Sequence, residues 1–440
     1  MPTSQRYPMV ILFLVVLIDM IGFTLVIPFL TYFIQDLATS DGFSNIGERD
    51  RWVGIVFASY TLGQFLFTPF LGSLSDRIGR RPVLLFGLVC NTVFLILFGL
   101  ASALWMALVV RFLAGAGNGN IAVARAYIGD ISSDDQIPAR MGLIGASFGL
   151  GFMIGPFLGG VLTDPFHVFG GPFETQWWEA HPYFLPCLFA GVLSAISFLL
   201  AIRMLPESHI KEEMSPKTEE PRGLRNELSK LLAIRDLSPP VRRLIFVNAS
   251  FLLAITMMHA TLILFTAMPV DDGGLGYDER QNGYIFAVVG LIGVIVQGWL
   301  IRPLARKYDP RILMIIGISM AAVGLGWIPY ITRESQAVGV FVIVLVSTGH
   351  GLFGPTQSTL LTSEAKLYGL ELGRAMGAQE GFGALSRIIG PVLAAFIWAE
   401  TVDGSGIWTY HTVFRAAGLV AAMGLIIQMG IRRTPNPGSD

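Results

Sequence analysis

The sequence predicts an all-α polytopic membrane protein, with twelve transmembrane helices in two pseudo-symmetric bundles of six. Three observations carry this. The 440 residues are 53% hydrophobic and 14% charged, with a mean hydropathy of +0.62, whereas a soluble protein is about 25% charged. Uncharged runs of about 20 residues recur, each long enough to cross a hydrocarbon core of about 30 Å. The two halves also repeat each other across a charged central segment.

The spans are expected near 9–34, 52–71, 83–103, 105–130, 141–162, 182–204, 242–268, 281–301, 312–331, 337–362, 375–399 and 410–431. The first run begins near Met9 and continues into further spans, so it reads as a retained span and not as a cleaved leader. Fifty glycines suit helices that approach closely in lipid. A net charge of −1 gives no footprint for nucleic acid. Cys90 and Cys187 fall inside apolar runs and are expected as free thiols. The sequence has no phosphate-binding loop, no metal-ligand spacing and no cysteine pair. Neither an enzyme nor an ATP-driven pump is expected, and no cofactor.

Basic residues set the orientation. With the N-terminus in the cytoplasm, the inner segments hold 22 of the 30 Lys and Arg residues. The outer loops hold Arg49, Arg51, Arg280 and Arg333. Both termini are therefore expected inside, in the plasma (cytoplasmic) membrane. The longest inner segment is charged and carries Pro206, Pro216, Pro221, Pro239 and Pro240. It divides the chain into bundles at 1–204 and 241–440, joined by a linker at 205–240 with a short surface helix near 222–234. An offset of 230 brings Leu74 onto Leu304, Arg81 onto Arg311 and Gly87 onto Gly317. An offset of 235 brings Gly155-Pro156 onto Gly390-Pro391. Such a repeat is a transporter architecture, with substrate bound between the halves near the midplane.

"GSLSDRIGRRP" at 72–82 packs an acid and three arginines between two apolar runs. Topology alone would explain the arginines, but not Asp76, Gly72 or Gly79. Gly72, Asp76, Arg77, Gly79, Arg80 and Arg81 resemble the loop 2–3 signature of the major facilitator superfamily. "RFLAGAGNGNIAVARAYIGD" resembles its span 4 signature, led by Arg111. Gly151, Gly155, Pro156, Gly159 and Gly160 fill the span 5 pattern G-x-x-x-G-P-x-x-G-G, which is associated with twelve-span drug–proton antiporters. The likeness covers nearly the whole chain and is similar to the tetracycline exporters. Those carry acids in spans 3 and 9 and a histidine in span 8. Here span 3 offers Asn91, and spans 8 and 9 have neither.

The resemblance implies a cytoplasmic gate. Asp76 would face the N-terminus of span 11, whose partial positive charge attracts a carboxylate, and the arginines would reach the inner end of span 4, where Asp130 is the natural partner of Arg80. The second half has Arg306 where Asp76 would repeat, so its latch is expected to be degenerate.

A charge at the bilayer centre costs about 3 kcal/mol or more, so each one is a functional candidate. Asp19 lies ten residues into span 1. A carboxylate taken out of water protonates more readily, which suits proton coupling. A structural ion pair is the alternative. Arg111, Asn118 and Arg125 are seven apart on span 4, as are His350 and Gln357 on span 10. On an unbroken helix such positions share a face. These stripes and Arg387 are candidates for the substrate cavity, with helix–helix hydrogen bonding as the alternative. His259 could titrate or simply pack. Glu380 and Arg387 share a face of span 11 but lie about 10 Å apart along the axis, too far to pair without help.

The residues therefore point to a secondary transporter exporting small amphipathic molecules against protons, embedded in the bilayer as a monomer. A metabolite or organic-anion carrier, favoured by the embedded arginines, and a channel or receptor on the same scaffold are the alternatives.

Overall fold

The computed structural model describes residues 3–133, 136–208, 233–370, 372–404 and 406–430, and within them every regular element is helical. Among these residues eleven helical stretches are long and apolar enough to cross a membrane, and a further helix, Ile137–Leu162, carries a shorter apolar stretch at Ala146–Leu162. It is span 5 of the expected twelve. The expected surface helix near 222–234 lies almost entirely outside the described residues.

Several spans depart from unbroken helices, each for a local reason. Span 1 runs Thr3–Leu25 and restarts as Ile27–Ser40. Pro28 cannot donate to the carbonyl a turn earlier, which breaks the ladder there. Span 2 is Ile46–Ile78, longer than expected. Asn45 caps its start by accepting from the Glu48 amide, and Gly79, at φ +109°, ends it. Span 3 follows as Arg80–Gly99. Span 4 is expected as one helix but is two, Leu104–Gly117 and Asn120–Ile131. The Gly117-Asn118-Gly119-Asn120 run combines poor helix formers that leave the ladder readily. Span 6 is Phe184–Met204 and span 7 is Pro239–Ala267. Span 8 opens on an Asp278/Gln281 capping box as Glu279–Ile295. It widens into a π-turn at Val296–Leu300 and finishes as Ile301–Lys307. Pro303, which cannot bond back to Trp299, accounts for the turn. Spans 9 to 12 are Pro310–Trp327, Gln336–Leu367, Leu372–Thr401 and His411–Met429.

The halves are built alike at the level of single hydrogen bonds. Thr24 of span 1 donates to the Gly151 carbonyl of span 5 at 2.8 Å. Thr256 of span 7 donates to the Ser386 carbonyl of span 11 at 3.1 Å. Glycines make the approach possible. A Cβ at Gly155 would stand 2.0 Å from Thr24 Oγ1, and one at Gly390 would stand 2.1 Å from Thr256 Oγ1. Span 5 passes through Pro156 as one helix.

The halves meet through the same device. Span 2 lies on span 11, where a Cβ at Gly54 would come 2.5 Å from the Pro391 carbonyl oxygen. Span 5 lies on span 8, where one at Gly283 would come 3.0 Å from the Pro156 carbonyl oxygen. Gly54 and Gly283 are repeat equivalents at an offset of 229. Polar links between the halves gather at the outer ends. Trp398 Nε1 donates to Asp50 at 2.7 Å, Tyr32 donates to the Tyr277 carbonyl at 2.6 Å and accepts from Asn282 at 2.8 Å, and Arg51 pairs with Glu400. At the inner ends, a Cβ on Gly72 would meet nothing within 4 Å, and the Asp76 side chain is 39% exposed. Among the described residues, the halves are joined at the end that holds Asp50 and Trp398 and have open space at the end that holds Gly72.

Gly155→Val should therefore destabilise the protein by about 3 kcal/mol or more, since neither Thr24 nor the span 1 backbone can yield. Gly72→Ala should leave stability unchanged. Thermal unfolding of the purified proteins checks this, and equal melting of the two variants would contradict the packing described.

Candidate functional site

The first half encloses a polar cluster at mid-membrane. Asp19 is fully buried. Asn91 Nδ2 donates to its Oδ1 at 3.1 Å, while Oδ2 has no hydrogen bond among the described residues. Asn120, the first residue of the inner segment of span 4, stands beside it. The break in span 4 turns that residue inward. Tyr60 of span 2 lies within electrostatic range of both Asp19 and Arg111, and its hydroxyl accepts from Asn118 Nδ2 at 2.8 Å. The Arg111 guanidinium sits 4.9 Å from the Tyr60 ring centre and 5.2 Å from that of Phe98. Among the described residues no carboxylate pairs with it. The ring faces supply its electrostatic partner.

The expected polar stripe on span 4 is thus not one face. Because the helix breaks at Asn118 and Gly119, Arg111 is buried under aromatic rings, Asn118 is bound to Tyr60, and Arg125 alone is exposed. On span 10, His350 is exposed at mid-helix, against Phe251, as a residue lining a water-filled cavity would be. Gln357 is buried and donates to the Leu244 carbonyl of span 7 at 3.2 Å. It holds two helices together. His259 lies between Phe152 of span 5 and Phe286 of span 8, at 6.3 and 6.5 Å between ring centres.

Glu380 and Arg387 do pair, at 2.7 Å, contrary to the separation expected from helix rise. Helical side chains lean toward the N-terminus, so Arg387 reaches back along the helix. The guanidinium passes over Gly383, one turn before it, where a Cβ would make ordinary contact with Nη1 at 3.7 Å. Arg125 contributes to the electrostatic field at Glu380. The two halves therefore face each other here with one acid and two cations.

At the inner end, Arg80 is the hub. It pairs with Asp76, reaches Asp130 Oδ2 at 3.0 Å and donates to Ser75 Oγ at 2.7 Å. Glu207, just after span 6, accepts from the backbone amides of Arg80 and Arg81 at 2.8 and 3.1 Å. It caps span 3, whose N-cap Gly79 has no side chain to do so. Sequence reading missed Glu207, Tyr60 and Asn120. A lone carboxylate at a span's end, and the Asn-Gly run, were the available signals. Arg77 points outward and is exposed. The second half is less degenerate than expected: Arg311, the repeat of Arg81, pairs with the buried Glu364 at the inner end of span 10. The loss of the acid at Arg306 did not remove the link between turn and helix. At the outer end, Tyr183 donates to Asp36 at 2.7 Å.

Two six-helix bundles, joined at the outer end and carrying titratable groups at mid-membrane, define a secondary active transporter of small molecules, integral to the membrane. The Major Facilitator Superfamily profile matches residues 12–370, and the chain belongs to that family. It is 26% identical over 413 residues to the class B tetracycline resistance protein of Escherichia coli, covering 93% of each chain. The fold is shared with a human organic anion transporter, at a TM-score of 0.66 and 21% identity over 97% of this chain and all of that one. It is also shared with a bacterial Spinster homologue in an inward-facing, occupied conformation, at a TM-score of 0.71 and 14% identity over 98% and 97%.

Asp76→Asn and Arg80→Ala should fold and reach the membrane but lose most transport. Gly72→Leu should melt like wild type, since the space around Gly72 is open in this conformation, yet block closure of the inner end. Transport assays together with cysteine cross-linking across the inner ends test this. Wild-type rates in all three variants would remove the gate.

Proposed function

We propose that the protein exports small amphipathic molecules across the cytoplasmic membrane in exchange for protons, by alternating access. It works as a monomer with both termini inside, and bundles 1–204 and 241–440 rock about the linker at 205–240. The observation that carries the reading is Asp19, a fully buried carboxylate with one oxygen left without a hydrogen bond. A carboxylate in that state gains from a proton, and it loses that gain if rocking admits water or brings a cation near. Tyr60 provides a polar path toward Arg111. Glu380 and His259 are the further coupling candidates. The substrate would meet Arg125, His350 and the Glu380–Arg387 pair in the inner cavity, while Asn118 and Gln357 hold its walls. The inner gate of Gly72, Asp76, Gly79, Arg80, Arg81 and Asp130, and the glycine stripe of span 5, then set the two end states. The organic-anion alternative is weakened, because Glu380 neutralises Arg387 and aromatic rings cover Arg111.

Asp19→Asn should abolish uphill transport driven by a pH gradient while sparing downhill exchange, and Asp19→Glu should retain partial coupling. Proton movement on substrate addition to proteoliposomes reads this directly. Undiminished substrate-dependent proton flux in Asp19→Asn would move the role to Glu380 or His259.

Tetracycline itself should be a poor substrate. The tetracycline resistance proteins are relatives at 26% identity, but the embedded acids of spans 3 and 9 and the histidine of span 8 are absent here. Expression in a sensitive host should give little resistance. A large rise abolished by Asp19→Asn would show the opposite.

A further inference from the structure

The internal repeat makes a comparison possible inside one chain. In the first half, spans 2, 3 and 4 close tightly around Arg111. A Cβ at Gly115 would stand 1.9 Å from the Tyr60 carbonyl oxygen, and one at Gly63 would stand 2.2 Å from that of Phe112. Arg111, Tyr60 and Phe98 fill the space between. At offsets of 229 to 232, Arg111 becomes Ile343, Tyr60 becomes Val289, Phe98 becomes Ile328 and Gly115 becomes Ser347. All four replacements line one cavity of about 440 Å³, bounded by spans 7, 8 and 10 and the span 9–10 turn. Smaller side chains stand where three large ones interlock in the first half, and a Cβ on Gly293 of span 8 would meet nothing within 4 Å.

The chemistry of this cavity is that of a ligand site. Its volume falls within the roughly 300–1,000 Å³ of small-molecule sites. The wall is apolar. The lining carries one fixed charge, Arg333, at the outer turn, and no carboxylate. Ser347 lies about 16 Å deeper along span 10. It is 5% exposed, and its Oγ has no hydrogen bond among the described residues. An unpartnered buried hydroxyl is costly unless something meets it. Tyr284 and Val340, on the cavity's edge, are 48% and 60% exposed, so the cavity opens sideways between spans 8 and 10, where lipid lies.

We infer that this cavity is a binding site for a single-tailed organic anion taken from the outer half of the bilayer. The head sits at Arg333, the tail runs between Val289, Ile328 and Ile343, and Ser347 meets a polar atom at the inner end. Arg111 and its two rings fill the equivalent place in the first half, so the site belongs to one half only. His259, one of the coupling candidates, stands in its wall on span 7, and binding itself is read without a pH gradient.

The test uses the full chain in nanodiscs of zwitterionic lipid, with a diazirine-bearing decanoate as probe and cross-links mapped by mass spectrometry. Cross-links should fall on spans 8 and 10 at the cavity. Excess decanoate should compete and decylamine should not. Arg333→Gln, on the exposed turn, should weaken labelling about tenfold through loss of a charge-assisted contact. Ile343→Trp, and separately Val289→Tyr, should abolish labelling by filling the space, in protein that stays monodisperse. Labelling spread evenly over lipid-facing surfaces, equal competition by decylamine, or labelling indifferent to Arg333→Gln and to whichever filling variant folds would each overturn the site.

Discussion

Direct approach of backbone to backbone through glycine is the constraint on which the rest of this molecule depends. Apolar side chains gain little by leaving lipid for one another, so helices in a bilayer are held by close van der Waals contact and by polar groups that find partners. Here Gly54 against Pro391 and Gly283 against Pro156 bring two pairs of spans together across the halves. The outer polar links, Asp50 with Trp398 and Tyr32 with Asn282, form only because that approach is made. The inner cavity, in turn, exists because the halves lean together at one end.

Charges inside this frame are handled in three ways. Arg111 is shielded by aromatic faces, which let a cation stay buried without an acid. Asp19 is left half-satisfied among asparagines, a state that suits a group meant to change protonation. The Arg80 cluster is shared among Asp76, Asp130 and Ser75, with Glu207 fixing the turn beneath it. The repeat preserves the turn-to-helix ion pair as Arg311 with Glu364, although the acid at the Asp76 position is gone. The two halves therefore keep a common frame while differing in what they place inside it.

Much of this was legible in the sequence, and the reasons it fails in places are specific. Length and hydropathy placed the spans, and the offsets of 230 and 235 exposed the repeat. The glycine pattern of span 5 was legible, but not that span 1 would lie against it. Periodicity failed at span 4, because a seven-residue spacing implies one face only on an unbroken helix, and Asn118-Gly119 breaks it. It failed again for Glu380 and Arg387, because helix rise measures Cα atoms while a long side chain spans the gap over Gly383. The partner of Gly79 could not be read at all. Glu207 is over a hundred residues away, and only the fold brings it beneath the turn.

The Glu380–Arg387 pair has an electrical consequence. Both members ride on the same helix, so they move as a dipole and not as separate charges when that bundle changes its tilt. An unpaired cation carried across the whole membrane does work of about 2.3 kcal/mol per 100 mV. A pair bound within one rigid element does almost none. The second half can thus present charge to whatever occupies the cavity while this pair adds almost nothing to the voltage dependence of the reorientation.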